Sequence, residues 1–450
     1  MVANRWIPLL ASIAFLVSLF FVNWQADRNE FGFIVSFYSL AFGAYILLIA
    51  NRHKLSFYHF ALIAILSQVL CLLYIPNLSN DFYRFLWDGE ITLAGYNPFD
   101  FTPNEIYQEG FAKGSSYLED MYTGIGSLSQ RNYSCYPPVN QLYFIVSTAF
   151  SDSLMVNVIV LKLSIIATQI LGAIYLRKLL IHLKIETSRM WFLYLNPLWI
   201  IECTGNVHFE GVMLSLLFVA LYYLLQYQEL VGSLFFALAI QIKLVPLILF
   251  PFFLRFLGIW KAMIFYSLTL VLVFLLGLIQ LDAENIHHFF ASLRLYFEVF
   301  EFNSFVLHYY VQYGIAETGW NLTKVYGPQL SKIALGLIVF ISLLVKRHNW
   351  QTLFRRMVLA YFIYLLLSST LHPWYILPML ALSIFTNYSF PILWSLLIFF
   401  SYILYAYMGH SDQIRWIIDL EYILVLSLFA YEMIWKRTPI GFLRLHTSSN

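Results

Sequence analysis

The chain has 450 residues, of which 61% are hydrophobic, 19% aromatic and only 11% charged, with a net charge of +2. A soluble domain would carry about a quarter charged residues, so this composition, with a mean hydropathy of +0.73, excludes a large soluble catalytic domain. The basic residues sit in short clusters between apolar runs, which excludes a nucleic-acid-binding patch, and the composition is that of an all-α polytopic membrane protein.

In chain order, the apolar runs predict spans near 7–23, 33–50, 57–75, 154–176, 190–203, 210–227, 231–257, 262–281, 328–345, 356–372, 374–389, 391–408 and 416–435. The first, flanked by Arg5 and lacking a small-residue cleavage pattern, reads as a retained span rather than a signal peptide. Cytoplasmic loops are enriched in Lys and Arg, and clusters at 52–54, 177–189, 255–261, 346–356 and 436–444 assign one side. Placing them all inside requires an even number of spans, whereas the runs number thirteen. Dividing 231–257 into half-helices that turn near Lys243, just before Pro246, restores the parity and gives about 12–14 helices. The run 139–150 is shorter than the roughly 20 residues of a crossing and is expected to be interfacial or re-entrant.

The organisation expected is three spans over 1–75, an outer catalytic loop with interfacial helices over 76–138, and central spans over 139–281 with a broken hairpin near 243. A second outer loop follows over 282–327, then C-terminal spans and a short cytoplasmic tail over 328–450. This threading puts 76–138, 204–210, the turn at Lys243, 282–327, 372–374 and 409–415 outside, and these segments hold most of the acids and histidines. The three cysteines, Cys71, Cys135 and Cys203, have neither metal-ligand spacing nor a disulfide framework.

Within NDFYRFLWDGEITLAGYNPFDFTP, residues 80–103, helical spacing puts Asp81, Arg84 and Asp88 on one face. Arg84 between two carboxylates can hold one ionised or bind a phosphate bidentately. The plainer reading is a juxtamembrane helix with one ordinary ion pair. Trp87 and the nearby tyrosines suit either a sugar face or the membrane interface, and Asn97-Pro98 ends the helix.

In ECTGNVHFEGVML, Asn206, His208 and Glu210, with Glu202 close by, can bind a metal, orient an acceptor hydroxyl or satisfy one another. Lys243 lies among apolar residues, a costly place unless the ammonium is paired or hydrated. It suits a phosphate partner, with snorkelling to the interface as the alternative. In LHPWY, Pro373 forces a turn that exposes His372, and Trp374 and Tyr375 are interface anchors. The outer segment 282–327 carries His287, His288, Arg294, Glu298, Glu301, Asn303 and His308, and its stretch 293–302 is amphipathic. No nucleotide-binding motif is present, which favours a lipid-borne sugar donor over a soluble nucleotide sugar.

DFYRFLWDG followed by NPF resembles the first outer loop of bacterial membrane mannosyltransferase-like proteins of the GT-C glycosyltransferase superfamily. The resemblance continues in order with Tyr-Pro-Pro at 136–138 and Gln141, then NPLWIIECTGNVHFEGVM, KLVPLILFP and HPWYILPML. It implies a GT-C-like fold and an inverting transfer of a hexose, mannose favoured, from a polyprenyl-phosphate donor to a lipid- or glycan-linked acceptor. The site would face outward from a bacterial inner membrane.

The resemblance further implies that a first-loop aspartate is the general base, Asp81 or Asp88, with Asp81 favoured because it lies nearest the span end. Arg84 and Lys243 would bind the donor phosphate. Trp87, Asn97, Tyr136, Asn206, His208, Glu210, His372 and Trp374 would meet substrate. Two departures stand out: two extra spans precede the loop, and Glu210 occupies a position where the family often has Asp. No cofactor is assigned, and a divalent metal is left open. The competing readings are a secondary transporter or flippase of a lipid-linked or anionic substrate, and an outer-face glycan ligase or polymerase. The one-sided charge and the lack of repeated halves weigh against transport.

Overall fold

The computed structural model describes residues 6–298, 300–407, 411–436, 438–439, 441 and 444. Arg5, Gly409 and Arg437, on which parts of the side assignment rest, lie outside the described residues. Among the described residues the chain is helical, and its only β pairing is one isolated bridge. Helices satisfy every backbone N–H and C=O within one segment, which hydrocarbon requires. This is an all-α polytopic integral membrane protein.

Among the described residues five helices are each long and apolar enough to cross a bilayer: α1 (Trp6–Trp24), α2 (Phe31–Ala50), Leu154–His182, Ile259–Gly277 and Thr323–Leu343. Between 17% and 44% of their most apolar stretches is buried in protein, as expected of helices that give most of their surface to lipid. Their polar groups are satisfied locally. Ser12 and Asn23 donate back to Pro8 O and Leu19 O at 2.7 and 2.8 Å. Lys162, fully buried in Leu154–His182, donates to Cys71 O and Tyr74 O at 2.6 and 2.7 Å. It thereby satisfies carbonyls at the end of α3 (Phe57–Leu72), which would otherwise be orphans, and anchors the segment that leads to Asp81.

The other apolar runs are interrupted, and the interruptions build the site. Sequence reading separates spans at 190–203 and 210–227. The structure instead has Pro197–Gly205 and Glu210–Leu225 joined by a bend of 109°. Asn196 caps the Leu198 amide at 3.0 Å, and the π-helical turn Ile200–Gly205 runs into Val207, whose φ is +56°. A β-branched residue in the left-handed region is uncommon and marks an over-determined turn.

The helix Glu229–Ile242 ends where Lys243 becomes extended, ahead of the 3-10 turn Val245–Leu249. Glu229 pairs with Lys261 at 3.3 Å, Tyr227 meets His348 at 2.7 Å, and His348 N donates to Phe256 O at 3.2 Å. Both ends of 229–257 therefore lie together, and Lys243 stands at the far tip.

Outside the spans, α4 (Asp81–Leu93) packs against the 11-residue helix Pro138–Thr148. The contact is close at Gly89, where a Cβ would stand 2.5 Å from the Phe144 carbonyl oxygen. The segment around Phe302 is clipped to the strand-like stretch before His372: Phe302 N donates to Ser369 O at 3.1 Å, and Leu371 N to Phe302 O at 2.8 Å. From the C-terminal helix Ser411–Trp435, Tyr422 holds Asn303 O at 2.6 Å and Arg415 holds Ser304 O at 2.9 Å.

Candidate active site

These interruptions converge on a cavity of about 350 Å³. Asp81 enters it from the first turn of α4. The adjacent Asn80 fixes that end of the helix by donating to Gly124 O and Ile125 O at 3.1 and 3.3 Å. The Asp81 side chain is 38% exposed, to the cavity, and its Oδ2 lies 3.9 Å from His208 Nδ1. The low-dielectric walls raise its pKa from the ordinary 3.8 to about 6, with Lys243 and Arg28 opposing the shift and Glu210 adding to it. Near neutral pH the group is therefore mostly an available carboxylate.

Opposite, Lys243 Nζ bonds Glu210 Oε1 at 2.6 Å, the ammonium 18% exposed and the carboxylate buried. A lysine on an apolar tip is stabilised by this pairing.

One wall is an aromatic column. The His208 and Trp374 rings stack with centroids 3.5 Å apart, Trp374 and His372 at 4.5 Å, and His372 and Phe302 at 4.6 Å. Pro373 sets the turn that aligns His372 with Trp374, and the clip at Phe302 and Leu371 positions the far end of the column. Among the described residues His372 Nδ1 has no hydrogen-bond partner. Burial, helped by Lys243, holds this imidazole down to about 3, so it is neutral at ordinary pH.

Behind the column lies buried Glu202. Asn206 and Tyr402 donate to it at 3.2 Å each, and His208 Nε2 is 3.5 Å away. His208 thus stands between the Asp81 and Glu202 carboxylates, its ring plane fixed by Trp374.

The fold brings together Asp81, Tyr136, Glu210, Lys243, His372 and Trp374 on the cavity wall, with His208 in contact behind them. Asn206 reaches the site only through Glu202. The other predicted residues are elsewhere. Arg84 and Asp88 are buried against each other at 2.6 Å. The Arg84 guanidinium also donates to Ser129 O and Asn132 O at 2.7 and 2.8 Å, and Asp88 accepts from Gln141 at 3.3 Å. The pair ties α4 to Ser129, Asn132 and Gln141 and is not on the cavity wall, because the turns of α4 beyond Asp81 are covered by 127–148.

Trp87 is fully buried against Phe111 and Tyr122, and Asn97 donates to Gln280 O at 2.7 Å. Within 282–327, His288 stacks on Tyr133 at 3.7 Å and Glu301 bonds His308 at 3.2 Å, while Leu293 reaches the cavity.

Sequence reading did not single out Arg28, from the turn between α1 and α2, or the wall tyrosines Tyr361, Tyr364 and Tyr405. For Arg28 the available signal was a lone cation between two spans. The tyrosines lie in apolar runs and gave none. Among the described residues no group of three or more His, Cys, Asp or Glu side chains is arranged to hold a metal. Among the described residues those on the cavity wall do not form a metal cage.

Residues 29–258, just over half of the chain, match the MptA_B family, described as alpha-(1->6)-mannopyranosyltransferase, N-terminal domain. No curated protein and no solved structure matches the chain.

Proposed function

This chain belongs to the MptA_B family of alpha-(1->6)-mannopyranosyltransferases and is a membrane mannosyltransferase; we propose that it takes mannose from a polyprenyl-phosphate donor and passes it, with inversion, to a hydroxyl of a lipid- or glycan-linked acceptor. The observation that carries this reading is the pairing pattern in the cavity. Of the two carboxylates on its wall, Glu210 is bound to Lys243 at 2.6 Å, whereas among the described residues Asp81 makes no ion pair with a lysine or arginine and lies 3.9 Å from the His208 ring. Asp81 is thus the carboxylate available as general base.

In the proposed reaction Asp81 accepts the proton of the acceptor hydroxyl as that oxygen bonds to the mannosyl anomeric carbon. The bond from that carbon to the donor phosphate oxygen breaks, and its electron pair leaves on the phosphate. Lys243, at the tip of its hairpin, faces the charge that grows there. Asp81 then releases its proton to water. Asp88 is not proposed as the base nor Arg84 as a phosphate ligand, because each is consumed by the other in a buried pair. The flat wall of Trp374 and His372 suits the apolar face of a pyranose.

The basic clusters favour a site that opens on the side opposite the cytoplasm of a bacterial inner membrane. The donor is tested by supplying membranes that contain the protein with radiolabelled polyprenyl-phosphate-mannose or GDP-mannose. Transfer from the first alone is expected. Transfer from GDP-mannose in membranes free of polyprenyl phosphate would refute the lipid-borne donor.

A further inference from the structure

The cavity wall carries four ordinarily charged side chains: Asp81, Glu210, Lys243 and Arg28. Lys243 is already bound to Glu210. The cation expected from sequence, Arg84, is locked to Asp88 away from the wall. Arg28 alone among these cations is uncommitted. Among the described residues it makes no ion pair, and its guanidinium rests over the Tyr405 ring at 5.4 Å.

The acids beside it in sequence, Asp27 and Glu30, are turned to the backbone of the turn between α1 and α2 rather than to its guanidinium. Asp27 Oδ1 accepts from the Asn29 amide at 2.8 Å, and Glu30 Oε2 accepts from the Asp27 amide at 3.3 Å. The turn is fastened to the outer loop where Asn77 donates to Ala26 O, three residues ahead of Asn80 and the start of α4. Two extra spans ahead of the catalytic loop thus deliver one guanidinium to the site.

We propose that Arg28 binds the phosphate of the lipid donor, taking the position that sequence reading gave to Arg84; this rests on the polyprenyl-phosphate donor proposed above. A guanidinium presents a planar fork that matches two phosphate oxygens, and it stays charged whatever forms beside it. Placed with Lys243 on the wall, it gives the leaving phosphate two cations while Asp81 keeps the acceptor side. Arg28 also lies just before residue 29, where the family match begins.

The test uses the purified full chain and measures binding of undecaprenyl phosphate, with undecaprenol and inorganic phosphate as further arms. Arg28→Gln is expected to weaken undecaprenyl phosphate binding by about 10- to 100-fold, and Arg28→Lys by less, since an ammonium keeps the charge and loses the fork. Undecaprenol binding should be unchanged in both variants, and inorganic phosphate should fail to displace the lipid at comparable concentration. In transfer assays the donor KM should rise in Arg28→Gln while the acceptor KM stays put.

Equal binding of undecaprenyl phosphate by wild type and Arg28→Gln overturns the assignment of Arg28 and leaves the donor reading standing. Displacement by inorganic phosphate as effective as by the lipid overturns the lipid-borne ligand. Wild-type protein that binds undecaprenol as tightly as undecaprenyl phosphate overturns the donor reading and the Arg28 assignment together.

Discussion

Replacing Asp88 by alanine is expected to loosen the packing of α4 on 127–148 rather than to remove a reacting group. The Arg84 and Asp88 side chains are 5% and 0% exposed, and their contact is 2.6 Å. Truncating the carboxylate leaves a buried guanidinium with only the Ser129 and Asn132 carbonyls as partners. Breaking one partner of a buried pair costs about 3–5 kcal/mol, a large share of the about 5–15 kcal/mol that holds a typical domain. Asp88→Asn keeps an acceptor for Arg84 and should cost less, about 1–3 kcal/mol. The double change Arg84→Met with Asp88→Leu removes both charges and should recover much of the loss, because an apolar pair of similar volume often matches a buried ion pair. The assay is thermal unfolding of the detergent-solubilised protein, with mannosyl transfer measured well below the lowered midpoint. An Asp88→Ala protein that melts with wild type and yet has lost turnover would refute the reasoning and return Asp88 to the chemistry.

Three further outcomes follow from the same geometry. Because folding raises the Asp81 pKa from 3.8 to about 6, the folded state holds this proton more tightly than the unfolded chain, so this group's contribution to stability falls as pH rises through that window. Activity should run the other way, with kcat/KM rising through about pH 6 as the carboxylate forms, and a flat profile between about pH 5 and 7 would contradict that role. Gly89→Ala puts a methyl group 2.5 Å from Phe144 O and should destabilise the packing of α4 by about 1–3 kcal/mol, read as an earlier thermal transition. Trp374→Ala removes the ring between His208 and His372 and should lower transfer about tenfold, with Trp374→Phe keeping most of it; equal turnover of all three proteins would discount the aromatic wall.

Asp81, Lys243 and His372 drew notice because Asp81 stands near a span end, Lys243 within an apolar run and His372 between two, and a charge or a turn at such a place needs a reason. The proline after Lys243 and the Pro373 turn also read correctly as interruptions, since they act locally. Arg84 and Asp88 misled for a reason equally physical. Helical periodicity rightly puts them on the face of Asp81, yet it cannot show that 127–148 covers that face beyond its first turn. Their partners Ser129, Asn132 and Gln141 are 45, 48 and 53 residues away in the chain. Arg28 was hidden in the same way: its place on the cavity wall comes from the fastening of Ala26 to Asn77, a contact with no periodic trace in the sequence. Glu202 was noted beside His208, but its burial behind the column depends on the 109° bend.

In the proposed reaction Asp81 takes the acceptor's proton. The most direct measurement of that role is the turnover of Asp81→Asn, folded as judged by an unchanged thermal midpoint, in membranes supplied with polyprenyl-phosphate-mannose. Loss of a positioned general base predicts a rate lowered by about 10²–10⁴ with donor binding retained. A rate within a few-fold of wild type would contradict the account.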